Sequence, residues 1–327
     1  MNFSTINKIL IIRLSSLGDI LLTTPLIRSL KKQYPKLQID FLVKEQYKDL
    51  LVLNPYLSNV IIYRSSKEEL DNLKNILKSN DYDAVIDLHN NFRSLDIRKT
   101  LRVKSYIFRK RSLKKFLLVK FKVNLLKDAP QISVRYADSI NIKLDEEGLD
   151  LFTNKASAIN ETNEKYICFA PGSRHFTKMW PEEYYIQLGK MLTNAGYKIV
   201  LVGGTSDAAI CKHINDDITG SINLGGKDDI LQIAADIKKC KLVVCNDSGL
   251  MHIASAVKVP VIVMFGSTVK EFGFTPFRVR NLILENKLLS CRPCSHVGRA
   301  NCPEGHFKCM LDITPQLAFA EILKFID

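Results

Sequence analysis

Short apolar runs rich in β-branched residues alternate with longer amphipathic stretches along this chain. Nine short runs have the length and composition of buried strands: 8–13, 38–43, 60–63, 84–88, 166–170, 198–203, 221–224, 242–246 and 259–265. Helical patterns follow seven of them, at 19–33, 45–53, 67–79, 181–195, 207–215, 228–238 and 249–257. Strands that alternate with helices predict parallel sheets covered by helices on both faces.

The alternation stops between about 145 and 165, where the sequence is polar apart from the short run Leu149–Phe152. A new series of strands and helices begins after it. We therefore predict two doubly wound α/β domains, 1–160 and 161–327, and 327 residues are enough for both. The pattern leaves open whether the last helix packs back on the N-terminal domain. Ligands of such sheets bind at the carboxyl ends of the strands, so the loops there are the candidate sites.

The first of these loops is Ser-Ser-Leu-Gly-Asp, residues 15–19. An aspartate at a helix start satisfies free N–H groups and suits the positive end of the helix dipole. Gly18 allows the backbone to approach a ligand closely. These residues alone favour a cap for Asp19 over a reactive carboxylate.

The second loop, 170–184, follows a predicted strand and leads into a helix near Pro181. It offers backbone N–H groups, two hydroxyls and an ammonium, which together can hold a phosphate. The residues concerned are Gly172, Ser173, Thr177 and Lys178. The alternative is an ordinary polar loop, with Trp180 packed at the face between the domains.

The third loop, 245–256, places small polar residues where a strand ends and a helix begins. Such a helix N-terminus favours an anion. The candidates are Asp247, Ser248, the N–H groups of Gly249 and Leu250, and His252. The alternatives are a cap at Asp247 and a core histidine at His252.

The net charge of +13 is uneven, because residues 97–127 contain 12 Lys and Arg and no Asp or Glu. This basic segment, 97–127, predicts a phosphate-bearing partner such as an anionic lipid, a phosphorylated glycolipid or a nucleic acid. Apolar residues between its lysines favour a membrane surface. The alternatives are a solvated helix face and an apolar face that docks on the domain core.

Four cysteines near the end form the pattern C-x2-C-x7-C-x6-C: Cys291, Cys294, Cys302 and Cys309. A structural zinc site is one interpretation, although only the first pair has zinc-knuckle spacing. Free thiols or a redox-dependent pair are the alternatives. The chain has no signal-peptide pattern and no apolar run of the roughly 20 residues that span a bilayer, so we expect a cytoplasmic protein.

The chain resembles glycosyltransferase family 9, the ADP-heptose:lipopolysaccharide heptosyltransferases, in segments that occur in the same order. They are I-I-R-L-S-S-L-G-D-I-L-L-T-T-P, P-G-S-R-H-F-T-K-M-W-P-E-E-Y, N-D-S-G-L-M-H-I-A-S-A and C-R-P-C with C-P-E-G-H-F-K-C-M-L-D-I-T-P. The last is most similar to the heptosyltransferase II branch. The resemblance implies a GT-B fold, in which two Rossmann-like domains face a central cleft. The first domain would bind the acceptor and the second the nucleotide-sugar.

The resemblance also implies an inverting reaction that needs no metal, in which a heptose moves to the Kdo and heptose inner core of lipopolysaccharide. Asp19 would be the general base, and Lys178 would hold the donor diphosphate. Donor contacts would come from Gly18, Ser173, Thr177, Asp247, Ser248, Gly249, Leu250 and His252. Acceptor candidates are Ser15, Ser16, Arg93, Arg109 and Arg111. The enzyme would work peripherally at the cytoplasmic face of the inner membrane, which the basic segment would meet.

Two other enzymatic functions remain open: a family 9 transferase with another nucleotide-sugar donor, and a GT-B-like sugar-nucleotide epimerase. The acid-free basic segment argues against the epimerase, whose substrate is not in a membrane. A nucleic-acid binder is a third hypothesis from charge alone. The sequence has no recognisable reading helix or stacking platform for it, so we expect no nucleic-acid partner.

Overall fold

The computed structural model of the chain describes residues 3, 5–64, 66–160 and 164–326. These residues divide into two compact units. The first contains the residues up to Arg111 and Pro130–Phe152, and the second contains Ser112–Ala129 and the chain from Thr153 onward. The boundary between the units thus lies at 152/153, before the predicted position, 160. An earlier segment, Ser112–Ala129, also belongs to the second unit. The function of each unit stays a prediction.

The first unit contains a parallel five-stranded sheet in the order β3-β2-β1-β4-β5. Its strands are β1 (Lys8–Ile12), β2 (Gln38–Lys44), β3 (Asn59–Tyr63), β4 (Ala84–Asp87) and β5 (Lys104–Ile107). A 3-10 helix at Glu45–Leu50 replaces the predicted helix 45–53. The α-helices in this part of the chain are α1 (Leu17–Leu21), α2 (Thr24–Gln33), α3 (Lys67–Lys78), α4 (Phe92–Leu101), α5 (Ser112–Phe121) and α6 (Ile132–Asp138), of which α5 belongs to the second unit.

The helix predicted at 19–33 is two helices, because α1 ends at Leu21 and α2 starts at Thr24. Pro25 lies in the first turn of α2. Proline has no N–H to donate and clashes with the preceding turn, so it is accepted at a helix start but not in a helix interior. The break leaves α1 as a short helix directly after β1, with Asp19 in its first turn.

Arg28, which is 1% exposed, attaches residues 145–150 to the first unit. These residues begin the polar stretch that interrupts the sequence pattern. The Arg28 guanidinium donates to both carboxylate oxygens of Asp145, at 2.8 and 2.7 Å, and forms an ion pair with Asp150. It also donates to the carbonyl of Gly148 at 2.9 Å. These hydrogen bonds, led by those from Arg28, hold the pKa of Asp145 well below its usual range.

The second unit contains a parallel six-stranded sheet in the order β11-β10-β9-β6-β7-β8. Its strands are β6 (Lys165–Ala170), β7 (Tyr197–Leu201), β8 (Ile222–Asn223), β9 (Leu242–Asn246), β10 (Val261–Phe265) and β11 (Asn281–Glu285). The helices after β6 are α7 (Glu182–Asn194), α8 (Ala208–Asp217), α9 (Ile230–Lys238), α10 (Gly249–Ala256), α11 (Lys308–Leu311) and α12 (Pro315–Ile326).

Both faces of the second sheet are covered, since consecutive residues of β9 and β10 are buried on either side. The last helix, α12, packs on α7 within this unit and places Ala318 and Ile322 in its core. The predicted fold class, two doubly wound parallel α/β units, is confirmed.

Candidate functional site

Asp19 lies in the first turn of α1, just past the carboxyl end of β1. Ser16, not Asp19, is the N-cap residue. The Asp19 carboxylate accepts hydrogen bonds from the Ser16 hydroxyl at 2.7 Å and from the Ser16 backbone N–H at 3.3 Å. Asp19 therefore completes the reciprocal half of a capping box, which fixes the orientation of its carboxylate.

Arg13 forms an ion pair with Asp19 through Nη2 and Oδ1 at 2.6 Å. Its remaining donors bind the carbonyls of Ser15 at 2.8 Å and Leu88 at 2.6 Å. Burial by itself raises the pKa of Asp19, but the Arg13 charge and the Ser16 hydrogen bonds outweigh burial and lower that pKa. Asp19 is therefore an ionised, oriented carboxylate at neutral pH, and it keeps a partly exposed side chain.

Three further residues lie near this carboxylate: Lys110 belongs to the basic segment, 97–127, whereas no local pattern in the sequence points to Tyr136 or His89. Tyr136 on α6 is fully buried with its ring 5.8 Å from the Arg13 guanidinium carbon, and burial raises its pKa. Burial and the charges of Arg13 and Lys110 lower the pKa of His89 to about 4, so this imidazole is neutral at pH 7. Burial and the Arg13 charge also lower the pKa of Lys110.

A basic pocket of about 850 Å³ opens in the first unit beside β5. Its lining includes Arg109, Lys110, Arg111 and Arg135, against the single carboxylate of Asp138. The charges of Arg13 and Asp19 also affect the pKa of Lys110. The pocket and the Asp19 carboxylate therefore interact electrostatically. The pocket suits a ligand with carboxylates or phosphates.

The other predicted acceptor residues have different surroundings. Arg93 is exposed in the first turn of α4. Ser15 uses its carbonyl to accept from Arg13, and Ser16 uses its hydroxyl to hold Asp19. Gly18 is buried in α1.

In the second unit, three neighbouring strands each bring one polar residue to the same edge of the sheet. Lys178 follows β6, Asp247 follows β9 and Thr268 follows β10. The Lys178 ammonium lies 2.8 Å from Asp247 Oδ2, which also accepts the Thr268 hydroxyl at 2.6 Å. Lys178 and Asp247 come from two predicted loops, and Thr268 was not predicted as a site residue.

Thr177 is buried and engaged with a backbone segment far along the chain. Its hydroxyl donates to the Arg299 carbonyl at 3.2 Å and accepts from the Arg299 N–H at 2.8 Å, while its own N–H donates to the same carbonyl at 3.1 Å. Thr177 thus joins the second loop to residues near 299. In the same loop, Gly172 is buried, and a Cβ there would lie 2.2 Å from the Asp207 carboxylate, while Ser173 is half-buried.

The third loop begins α10, whose N-cap residue is Ser248. The Ser248 hydroxyl oxygen is buried and has no hydrogen-bond partner within the described part of the chain. Gly249 and Leu250 supply the first two N–H groups of the helix, which have no partner inside it. His252 is buried one turn further on. These groups together suit a phosphate.

A buried amide holds the second and third loops together. The side chain of Asn246, at the end of β9, accepts from the backbone N–H of Trp180 at 3.0 Å and donates to the Pro171 carbonyl at 2.7 Å. Trp180 itself is fully buried and donates through Nε1 to the Ile313 carbonyl at 2.8 Å. The alternative interpretation of Trp180 as a residue at the face between domains is wrong, because it belongs to the core of the second unit.

Arg292, between the first two clustered cysteines, joins the ends of β10 and β11. It donates to the carbonyls of Gly266 at 2.6 Å and Thr268 at 2.9 Å, and pairs with Glu285 at 2.9 Å. Arg292 therefore holds the ends of β10 and β11 together, a role that the cysteine pattern in the sequence does not indicate.

The structure does not bring the four clustered cysteines together as a set of metal ligands. All are free thiols, and the Cys291 sulfur is 3.8 Å from Nε2 of His306. Across the described ranges, no group of three or more Cys, His, Asp or Glu side chains could hold a metal ion. Nor does any described helix combine the length and apolar character needed to cross a membrane.

A family model and a curated relative point to the same family. The sequence model described as "Glycosyltransferase family 9 (heptosyltransferase)" matches residues 71–304. Lipooligosaccharide heptosyltransferase 2 of Haemophilus influenzae is 28% identical over 96% of this chain and 98% of that protein. The glycosyl transferase family 9 structure from Veillonella parvula superposes with a TM-score of 0.81 at 21% identity, over 98% of this chain and 97% of the other. ADP-heptose lps heptosyltransferase II of E. coli gives 0.74 at 22%, over 98% of both chains, and both superpositions show a shared fold.

Proposed function

Because the chain belongs to glycosyltransferase family 9, we propose that it moves a heptose from ADP-heptose to the Kdo and heptose inner core of lipopolysaccharide, with inversion at the anomeric carbon and without a catalytic metal. It is a glycosyltransferase, and its relatives include proteins named heptosyltransferase 2. The observation that carries the donor half of the proposal is the Lys178 ammonium, 2.8 Å from Asp247 beside the start of α10.

The donor diphosphate binds beside Lys178 in this proposal. The N–H groups of Gly249 and Leu250 and the hydroxyl of Ser248 supply hydrogen bonds to its oxygens. Ser173 and His252 complete the donor set. Thr177 contributes indirectly, because its hydroxyl is committed to the Arg299 backbone.

The acceptor half of the proposal rests on Asp19 and the basic pocket. Arg109 and Arg111, with Lys110 and Arg135 beside them, bind acidic groups of the acceptor core. Asp19 then receives the proton of the acceptor hydroxyl. Ser15, Ser16 and Gly18 shape the turn that holds Asp19, and Arg93, exposed in the first turn of α4, is a further acceptor contact.

The reaction is a single displacement. The acceptor oxygen forms a bond to the anomeric carbon while its proton passes to Asp19, and the bond from that carbon to the diphosphate oxygen breaks, so ADP leaves with the electron pair. The low pKa of Asp19 makes it a weak ground-state base, so it accepts the proton only as the attacking hydroxyl becomes acidic in the transition state. Lys178 and the N–H groups of α10 offset the charge that grows on ADP.

Since the proposed acceptor is a membrane-embedded glycolipid, the enzyme works at the cytoplasmic face of the inner membrane. The basic segment, 97–127, supplies positive charge for that contact. No nucleic-acid partner is part of this proposal.

The test measures ADP release from ADP-heptose in the presence and absence of a Kdo-bearing lipid A acceptor. Asp19→Asn should lose about 10²- to 10⁴-fold in turnover and keep its affinity for ADP. Lys178→Ala should weaken ADP binding as well as turnover. Exposed residues on α3 and α9 provide the matched controls Asp71→Asn and Lys238→Ala, which should behave as the unmodified protein.

Three results would contradict parts of the proposal. Full activity of Asp19→Asn would remove the base assignment. Stabilisation by UDP- or GDP-sugars but not by ADP-heptose in a thermal-shift screen would identify another donor. Conversion of a sugar nucleotide without any acceptor would indicate an epimerase.

A further inference from the structure

Helix α5 carries apolar side chains on two opposite sides, and the structure covers only one of them. On the covered side, Leu118 is buried in a small cluster with Leu126 and Phe272, and Val119 packs against the same cluster. A helix that is apolar on all sides is normally enclosed by protein or lipid. The second side of α5 therefore requires an explanation.

Two lysines of the segment belong to the covered side. The Lys115 ammonium lies 5.1 Å from the Phe274 ring centroid and 5.9 Å from that of Phe272. Lys122 donates to the carbonyls of Cys291 at 2.9 Å and Pro293 at 2.8 Å. These contacts attach the helix to the second unit and use both charges internally.

The other side of α5 is open. Leu113 is 71% exposed, Phe116 55% and Phe121 60%. The two phenylalanine rings contact each other edge to face, with centroids 5.9 Å apart. In the following turn, Val123 and Leu125 are also exposed. Monomeric proteins rarely expose apolar side chains in such a group without a binding role.

Lysines border this open side. Lys114, Lys120 and Lys127 are exposed, and no hydrogen bond or ion pair engages them among the described residues. The whole stretch 97–127 contains no acid that could neutralise them. Aromatic and leucine side chains bordered by uncompensated lysines are the composition of an interfacial helix.

We propose that the open side of α5 with its following turn, residues 113–127, is a docking surface for an anionic lipid bilayer. Leu113, Phe116 and Phe121 enter the boundary between headgroups and acyl chains, and Lys114, Lys120 and Lys127 bind lipid phosphates. A second copy of the same surface would bring like charges together, and a nucleic acid would leave the leucines uncovered. The positive charge and the exposed apolar side chains therefore favour a lipid bilayer over a second copy of the chain or a nucleic acid.

This inference deepens the proposed function by narrowing the membrane contact from 97–127 to one side of α5, and by placing it on the second unit, which contains Lys178. The inference rests on the proposed function only for the reason that the protein would bind a membrane, namely to reach a membrane-embedded acceptor. Vesicle binding needs neither donor nor acceptor, so the two proposals fail separately.

The experiment is vesicle co-sedimentation of the full chain with phosphatidylcholine, with and without phosphatidylglycerol. We expect binding to the anionic vesicles alone, weakened by salt. Phe116→Ser with Phe121→Ser should reduce the partition coefficient at least about tenfold, and Lys114→Gln with Lys120→Gln about fivefold for each lysine. Matched controls on the same unit are Leu288→Ser, at a side chain that is 95% exposed, and Lys190→Gln with Lys238→Gln.

The proposal is wrong if the protein binds both vesicle types equally, if the phenylalanine variant binds as tightly as the controls, or if these variants instead abolish dimerisation or RNA binding. Thermal melts and activity on a delipidated acceptor should stay unchanged in the phenylalanine variant. A change in either would assign these side chains to the fold or to substrate binding instead.

Discussion

Asp19 combines a structural and a chemical role in one carboxylate. One oxygen accepts from Ser16 at the start of its own helix, and the other pairs with Arg13. The capping interaction fixes the position of the carboxylate, while Arg13 keeps it ionised despite partial burial. A cap and a proton acceptor are therefore compatible at this position.

Arg13→Gln should raise the pKa of Asp19, because burial would then act without the opposing Arg13 charge. If Asp19 is the base, the acid limb of kcat/KM against pH should move to higher pH by about 1 to 3 pH units. At pH values above the ordinary carboxyl pKa of about 4, the lowered pKa of Asp19 stabilises the folded chain. Arg13→Gln should remove this stabilisation. A pH–rate profile with a parallel thermal melt makes the measurement.

Arg13→Lys keeps a cation at the same place and serves as the comparison. Its acid limb should stay close to that of the unmodified protein. An unmoved limb in Arg13→Gln would show that Asp19 does not control the rate.

The loops that follow β6 and β10 approach so closely that Gly266 has no room for a side chain. A Cβ at Gly266 would lie 2.7 Å from the backbone carbonyl oxygen of Thr177. The next residue, Ser267, donates its N–H to that same carbonyl at 3.2 Å. This contact sets the spacing between the loop of Lys178 and the loop of Thr268.

Gly266→Ala should separate these two loops, because the opposing atom is backbone and cannot rotate away. We expect a loss of about 1 to 3 kcal/mol in the free energy of unfolding, together with weaker ADP binding by calorimetry. Ser267→Ala is the neighbouring control: its hydroxyl is buried without a partner among the described residues, so its removal should cost little. Normal stability and ADP affinity in Gly266→Ala would contradict this account.

The central strands of both sheets were predictable from local sequence, and two of the four edge strands, β3 and β8, were predicted as well. The predicted strand at 242–246 coincides with β9, because every residue of that run is apolar or buried. The outermost strands β5 and β11 were missed, since Lys-Ser-Tyr-Ile and Asn-Leu-Ile-Leu-Glu mix polar and apolar residues at half-buried edges.

The same division applies to the site. Asp19, Lys178 and Asp247 stand in recognisable loops directly after strands. Tyr136 and Arg292 reach their partners across long sequence separations, which no local pattern records.

Each unit of the molecule has its own parallel sheet, and the first also depends on a buried ionic network. Arg28 satisfies Asp145, Asp150 and the Gly148 carbonyl, and thereby closes the 145–150 segment over α2. Lys32 pairs with Asp145 at 2.9 Å as well, but about half of its side chain is exposed.

Arg28→Ala should destabilise the first unit by about 3 kcal/mol, because the partly buried carboxylates of Asp145 and Asp150 lose their buried cation. Lys32→Ala, the exposed counterpart, should destabilise the first unit much less. Because the pKa of Asp145 is lowered in the folded chain, its contribution is present above the ordinary carboxyl pKa of about 4 and is lost as the pH falls through the folded value. Urea unfolding of both variants should therefore differ most at neutral pH and converge in acid, and equal losses in the two variants would contradict this assignment.

The attachment of α5 to residues far along the chain has a consequence for biosynthesis. Leu118 is made long before Phe272 and the carbonyls that bind Lys122. At about 5 to 20 residues per second, the ribosome needs roughly 10 to 30 s to supply them. During that interval the nascent segment has both apolar sides uncovered, so its protection from aggregation depends on partners outside its own fold.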